Sequence, residues 1–315
     1  MSKILIVGGA GNIGSFIVDQ CIELGHEVVV VDNFYNAKYR NIAEHMKKKQ
    51  IELETIDIGS WEMVRYVFKQ HQPDYVSHQA SLMIMDSNKF PHKSLETNIV
   101  GTFNIIQACH EFNVKKLTYG SSASVYGNPR YVPVDENHPF DNQTLYGATK
   151  IAKEALMTSW AYSHNVPYVG FRYFNIYSER QGLGAFYTQV FQKWIHAIHE
   201  NQEIIMYGDG EQTLDLVHSS DAARANVLAM FNQDVKNEFF NVGTGKETSL
   251  KKLLGVIETL LGKKARVKHI EADPHLVKRR CASIEKISDM LGFEPKIDVQ
   301  EGTRRYINYL LEGKI

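Results

Sequence analysis

Short runs rich in β-branched residues alternate with longer amphipathic stretches through the first half of this chain. The runs at 4–7, 27–32, 52–56, 74–78, 116–119 and 167–172 predict six strands. The intervening spacing predicts helices at about 14–24, 41–49, 61–71, 92–112 and 146–164. Strand and helix alternation of this kind implies an α/β fold, a doubly wound parallel sheet covered on both faces. The second half is less regular. It predicts a helix at 184–200, a strand at 203–207 closed by the turn Gly208-Asp-Gly210, and helices at about 283–291 and 300–311. Ser220 is expected to cap a helix running to about 231. Ser249 is expected to cap another, through 261, which Gly262 stops.

Length and charge narrow the function classes. A chain of 315 residues can bury a large core, as one big unit or two closely joined domains. A formal net charge of −1 argues against a binder of nucleic acid that works through a basic surface. No apolar run approaches the roughly 20 residues that span a bilayer. The three cysteines, Cys21, Cys109 and Cys281, form no CxxC pair, and the thirteen histidines show no HExxH or zinc-like grouping. No metal site is expected. With no secretory leader pattern before the first strand, the expected location is cytoplasmic.

The chemistry begins at the turn Gly8-Gly-Ala-Gly11-Asn-Ile-Gly14, which follows the first strand and opens the first helix. Glycines there allow a tight turn, close approach of backbone to phosphate and tight helix packing. A pyrophosphate would meet free N–H groups at the helix start, at Gly8, Gly11, Asn12, Ile13 and Gly14. Asp32 ends strand two, where a carboxylate accepts from both ribose hydroxyls and repels a 2′-phosphate. NAD is therefore favoured over NADP, although Lys38 and Arg40 just beyond could soften the preference. The sheet is accordingly Rossmann-type. Asp57 and Ile58 end strand three, suited to the adenine. Gln79 and Ala80 follow His78 at the end of strand four. His78 itself is expected to be a packed core histidine.

Ser122 lies where strand five ends, at the carboxyl edge where parallel sheets bind ligands. Its hydroxyl could bond both a substrate hydroxyl and Tyr146; Ser121 and Ser124 are further candidates. Tyr146 and Lys150, four apart, share one helix face. A phenol has a pKa of about 10, so a base near pH 7 needs it lowered by about 3 units, or about 4 kcal/mol. One charge at about 4 Å and an effective dielectric of about 20 supplies about 4 kcal/mol. Lys150 and a positive nicotinamide ring could together provide it. The pattern describes oxidation of an alcohol, with a sugar as the favoured substrate.

These residues, in this order, resemble the extended short-chain dehydrogenase/reductase family, and within it the NAD-dependent nucleotide-sugar epimerase/dehydratase group, UDP-sugar 4-epimerases in particular. The resemblance runs through Val31-Asp-Asn-Phe34, Asn98-Ile-Val-Gly-Thr102, Ser122-Ala-Ser-Val-Tyr-Gly127, Tyr146–Lys150, Arg172-Tyr-Phe-Asn175, Gly208-Asp-Gly-Glu-Gln-Thr213 and Leu291-Gly-Phe-Glu-Pro295. It implies Tyr146 as the base, Lys150 on the nicotinamide ribose and Ser122 as helper. Asn33, Asn98, Tyr119 and Tyr173 would lie along the cofactor, and Asn175 would contact the substrate diphosphate. The stretch from Gln181 to Phe186 and the loop Gly208–Thr213 would wall the sugar-nucleotide pocket. It also implies an NAD-binding domain at 1–174, with the chain returning near 213–235, and a nucleotide-sugar-binding domain at 175–315. The helices near 92–112 and 146–164 resemble those that pair two subunits into a four-helix bundle.

Three departures refine the reading. The dehydratase branch carries Asp-Glu after the helper hydroxyl, whereas this chain has Ala123-Ser124, which favours epimerisation over 4,6-dehydration. The Arg usual after Thr213 is Leu214, so Arg279 or Arg280 would take over the diphosphate, unless the nucleotide sits differently. The usual Tyr-Gly after Arg-Tyr-Phe-Asn is Tyr177-Ser178. The expectation is an NAD-dependent nucleotide-sugar epimerase inverting C4 through a transient 4-keto sugar and enzyme-bound NADH. The alternatives are a 4,6-dehydratase, decarboxylase or oxidoreductase of the same family, or a non-catalytic NAD-binding protein. The intact Ser122, Tyr146 and Lys150 set argues against the last.

Overall fold

In the computed structural model, which describes residues 1–181, 186–271 and 278–313, thirteen strands and twelve α-helices are found among the described residues. The strands are β1 (Lys3–Val7), β2 (Glu27–Val31), β3 (Ile51–Glu54), β4 (Tyr75–His78), β5 (Lys116–Ser122), β6 (Tyr168–Tyr173), β7 (Asn175–Tyr177), β8 (Glu203–Tyr207), β9 (Thr213–Leu214), β10 (Leu216–His218), β11 (Glu238–Val242), β12 (Thr248–Ser249) and β13 (Arg266–Ile270). The helices are α1 (Gly14–Glu23), α2 (Ala43–Lys47), α3 (Trp61–His71), α4 (Ile84–Lys89), α5 (Pro91–Leu95), α6 (Thr102–Glu111), α7 (Leu145–His164), α8 (Phe186–His199), α9 (Ser219–Phe231), α10 (Leu250–Leu261), α11 (Glu285–Leu291) and α12 (Val299–Leu311).

Seven strands form one parallel sheet in the order β11-β6-β5-β4-β1-β2-β3. The two-residue period divides its side chains between two cores. Leu5, Val7, Val29 and Val31 pack with α3, α6 and α7, while Ile4, Ile6, Val28 and Val30 pack with α1 and α9. Each fully buried aliphatic side chain of this kind contributes about 1.5–3 kcal/mol. Strand order reverses between β1 and β4. At such a point the loops above neighbouring strands part and leave a crevice at the carboxyl edge.

The doubly wound Rossmann-type sheet is as expected, but it has a strand more. Residues 238–242 pair with β6, after α9 has packed against α1. This seventh strand went unread because Glu238-Phe-Phe-Asn-Val242 is short and Asn237 turns into it with φ +58°. A separate apolar cluster, including Tyr177, Trp194, Leu214, Leu253 and Tyr306, lies among β7–β10, α8, α10 and α12.

Local signals account for several ends. Ser249 caps α10 by accepting from the Lys252 N–H, and Gly262 closes that helix at φ +63°. Ser220 does not cap α9. That helix starts one residue earlier, and His218 accepts from the Ser220 N–H instead. The single helix expected at 92–112 is α5, a π-turn at Glu96–Gly101, and α6. The helix expected at 41–49 shortens to a 3₁₀ turn, Tyr39–Asn41, and α2, and Lys49 ends it at φ +54°. No helix among the described residues is long and apolar enough to cross a membrane.

Candidate active site

A cavity opens at the carboxyl edge of the sheet, above the β1–β4 reversal. The glycine turn forms its floor, through Gly8, Gly11, Asn12, Ile13 and Gly14. Gly8 has φ +79°, and a Cβ there would sit 2.6 Å from the Ala80 nitrogen. A Cβ at Gly14 would sit 2.1 Å from the Gly8 oxygen. Only glycine fits either position. Helix α1 starts with no side-chain cap; the Gly11, Ser15 and Phe16 N–H groups are taken by the Gly8, Gly11 and Ile13 carbonyls. Asp32 stands beside them. It accepts from the Ala10 N–H at 3.0 Å and the Phe34 N–H at 2.9 Å. Burial raises its pKa against those two hydrogen bonds. Asn33 and Ile58 also line this end, with Gln79 and Ala80 across from them.

At the other end, β5 and α7 bring Ser122, Tyr146 and Lys150 onto the same cavity. Thr144 fixes the first turn of α7 by accepting from the Gly147 N–H at 3.0 Å. One turn later, Lys150 Nζ donates to the Gly120 carbonyl at 3.2 Å. Ser122 Oγ accepts from the Ser124 N–H at 3.2 Å and the Ser124 hydroxyl at 2.9 Å. Its lone pairs are thereby filled, which leaves its own proton available on the side of Tyr146. Burial nevertheless pushes the Tyr146 phenol up to about 12, with the Ser122 hydrogen bond working the other way. Burial lowers Lys150 to about 8, opposed by the charge of Glu154. Among the groups of the chain, burial thus outweighs the Ser122 contact in setting the phenol.

Tyr173, Asn175 and Arg280 complete the set of sequence candidates on the cavity. Tyr173 donates to Gln79 Oε1 at 3.1 Å and accepts from Asn226 Nδ2 at 2.6 Å. Four other candidates lie off the lining. Asn98, in the π-turn, spends its side chain on Leu82, Ser81, Ser94 and Thr149, and its neighbour Thr97 reaches the cavity instead. Tyr119 points to the opposite face of β5, into the core beneath Lys153. Asp57 pairs with Lys93 at 2.8 Å. Burial opposes ionisation there, but hydrogen bonds from Lys93, Gly59 and Asn33 outweigh it and hold the carboxyl below its ordinary value. Arg279 pairs with Glu247 at the surface.

His78 is a core histidine, with Nε2 against Thr102 Oγ1 at 3.0 Å. Ser121 gives its hydroxyl to Glu154. Gln181 lines the cavity, while residues 182–185 of the expected wall lie outside the described residues. The loop Gly208–Thr213 is not on the lining, and Leu214 sits in the apolar cluster. Sequence reasoning missed Leu82, Met83 and Ile84 leading into α4, Phe174 before β7 and Ile176 within it. The bulky run after His78-Gln-Ala-Ser81 was the available signal.

Comparison with known proteins shows the family. The profile of the NAD dependent epimerase/dehydratase family matches residues 4–243. Over 309 residues the chain is 34% identical to a putative UDP-glucose 4-epimerase of Methanocaldococcus jannaschii, covering 98% of each. Over 327 residues it is 30% identical to a UDP-N-acetyl-alpha-D-glucosaminuronate decarboxylase of Bacillus cytotoxicus, covering 98% of each. The crystal structure of the UDP-glucose 4-epimerase of Thermotoga maritima with UDP-glucose superposes with a TM-score of 0.91 at 29% identity, over 99% of this chain and 100% of the other.

Proposed function

The chain belongs to the NAD dependent epimerase/dehydratase family, and within it we propose a nucleotide-sugar epimerase that inverts C4, most simply of a UDP-linked sugar. The observation that carries this reading is the convergence of Ser122, Tyr146 and Lys150 on one cavity with the glycine turn, without a carboxylate at Ala123-Ser124. The cofactor is NAD, and the residues fit it: the Gly8 and Gly14 cradle excludes any Cβ, and Asp32 presents an acceptor at the ribose end. Bound NAD supplies the oxidant at C4 and a positive ring that favours the ionised phenol.

Tyr146 takes the C4 hydroxyl proton, and Ser122 holds the phenol oxygen in line for it. Lys150, tethered to Gly120, keeps its ammonium beside the ring. Asn175 and Arg280 hold the diphosphate end while the flat 4-keto sugar turns over, and Tyr146 gives its proton back to the C4 oxygen as a hydride returns to the other face of C4. A carboxylic acid able to expel a C6 hydroxyl is missing at 123–124, which weighs against dehydration. Kinship with a decarboxylase keeps loss of a carboxylate as the second reading.

Residues 1–174, with α9 and β11, form the dinucleotide part of this proposal, and the remainder of 175–315 forms the sugar-nucleotide part. Two copies pair through the faces of α6 and α7. The reaction is tested with a sugar nucleotide deuterated at C4. Epimerisation keeps the label on C4 of both epimers, whereas its appearance on C6, or release of carbon dioxide, selects another member of the family.

A further inference from the structure

We propose that Ser178 and Ser219 are positioning residues that fix the Asn12 side chain as a hydrogen-bond donor toward the dinucleotide pyrophosphate. The inference rests on the cofactor, not on the C4 reading. Strands β7 and β10 run parallel with Tyr177 opposite His218, so Ser178 and Ser219 emerge side by side at the end of the ladder. Ser178 Oγ lies 2.5 Å, and Ser219 Oγ 2.8 Å, from Asn12 Oδ1. Ser178 Oγ already accepts the Arg180 N–H at 3.1 Å, so its proton goes to Asn12. Ser219 Oγ shares its one proton between Asn12 Oδ1 and the Tyr177 carbonyl at 3.2 Å, so the Ser178 donor sets the amide oxygen of Asn12 toward the serines, and Nδ2 has no partner among the described residues.

The clamp is itself held. His218 Nδ1 accepts from the Ser220 N–H, which leaves the proton on Nε2 to be donated to Glu179 Oε2 at 3.1 Å. Arg180 pairs with Asp19 of α1 at 2.7 Å and lies 4.2 Å from the Phe16 ring centroid. Both serines are buried, so the two hydrogen bonds do not compete with bulk water. Asn12 lines the cavity at the start of α1, where a phosphate gathers N–H donors.

The test is calorimetric titration of the purified full chain with NAD, without any sugar nucleotide. Ser178→Ala and Asn12→Ala are each expected to weaken NAD about fivefold, the loss of one neutral hydrogen bond. The double variant should be no weaker than Asn12→Ala alone, which a merely structural role for Ser178 would not produce. Asn12→Asp keeps an acceptor for both serines but turns an anion toward the phosphates, and should weaken NAD more than Asn12→Ala. The proposal is overturned if Ser178→Ala stays within about twofold of wild type. It is equally overturned if Ser178→Ala weakens NAD as much without Asn12 as with it. Should Ser178→Ala not fold, the same cycle run with Ser219→Ala reads the same oxygen. Because no turnover is measured, failure of the C4 reading would leave these affinities unmoved.

Discussion

The Lys150 ammonium lies 5.2 Å from the centroid of the Tyr146 ring. A positive charge on that side favours the ionised phenol, but burial outweighs it in the chain alone. Tyr146→Phe removes the oxygen and keeps the ring. Turnover should fall at least about 100-fold, the usual contribution of a positioned general base, with the melting temperature little changed. Near wild-type turnover of the true substrate would show that another group takes the proton.

Lys150 gives a pH dependence whose sign can be worked out. Its folded pKa of about 8 lies below the roughly 10.4 of an exposed lysine. Between those values the unfolded chain binds the extra proton, so stability rises with pH across the window. The slope from this residue is at most about 1.4 kcal/mol per pH unit. Chemical denaturation of the cofactor-free protein across that range should show the rise, and Lys150→Met should flatten it.

Arg172 donates to both oxygens of buried Glu154 and to the Tyr126 hydroxyl, directly under the β5 strand end. Arg172→Met leaves the Glu154 carboxylate buried and stripped of its cation. A loss of about 3–5 kcal/mol in urea unfolding is expected. The Arg172→Met/Glu154→Met pair should recover much of that loss.

Asp32 takes the Ala10 and Phe34 N–H groups on separate oxygens, so Asp32→Asn keeps an acceptor for only one of them and deletes the charge. NAD should bind more weakly and NADP more tightly than in wild type, narrowing their ratio about tenfold or more. Direct titration with both dinucleotides measures it. An unchanged ratio would mean that other groups read the ribose.

Val100 of the π-turn is 48% exposed, an apolar residue that the proposed pairing of two copies would cover. Light scattering should give twice the chain mass for wild type. Val100→Asp should shift it toward the monomer with the sheet core intact.

Much of the site was legible because it depends on local rules. Gly8 and Gly14 declare themselves through backbone shapes that other residues cannot take. Tyr146 and Lys150 declare themselves through helical spacing, and Asp32 through its place at a strand end. Asn98 and Tyr119 were placed along the cofactor by resemblance, yet neither reaches the cavity. A π-turn carries Asn98 under the Ser81–Leu82 backbone, and the pleat of β5 sends Tyr119 to the other face. One residue of register separates Tyr119 from Gly120, which does line the cavity.

Taken by itself, the chain's order of residues determined the doubly wound sheet, its glycine turn and the tyrosine–lysine face. Hydrophobic period, dihedral freedom and capping act over a few residues and need no distant partner. Only the tertiary structure decided that β11 joins the sheet, that Ser178 meets Asn12 across 166 positions, and that burial pushes the Tyr146 phenol up to about 12. Burial and long-range pairing are set by what packs against a residue, and those neighbours come from elsewhere in the chain.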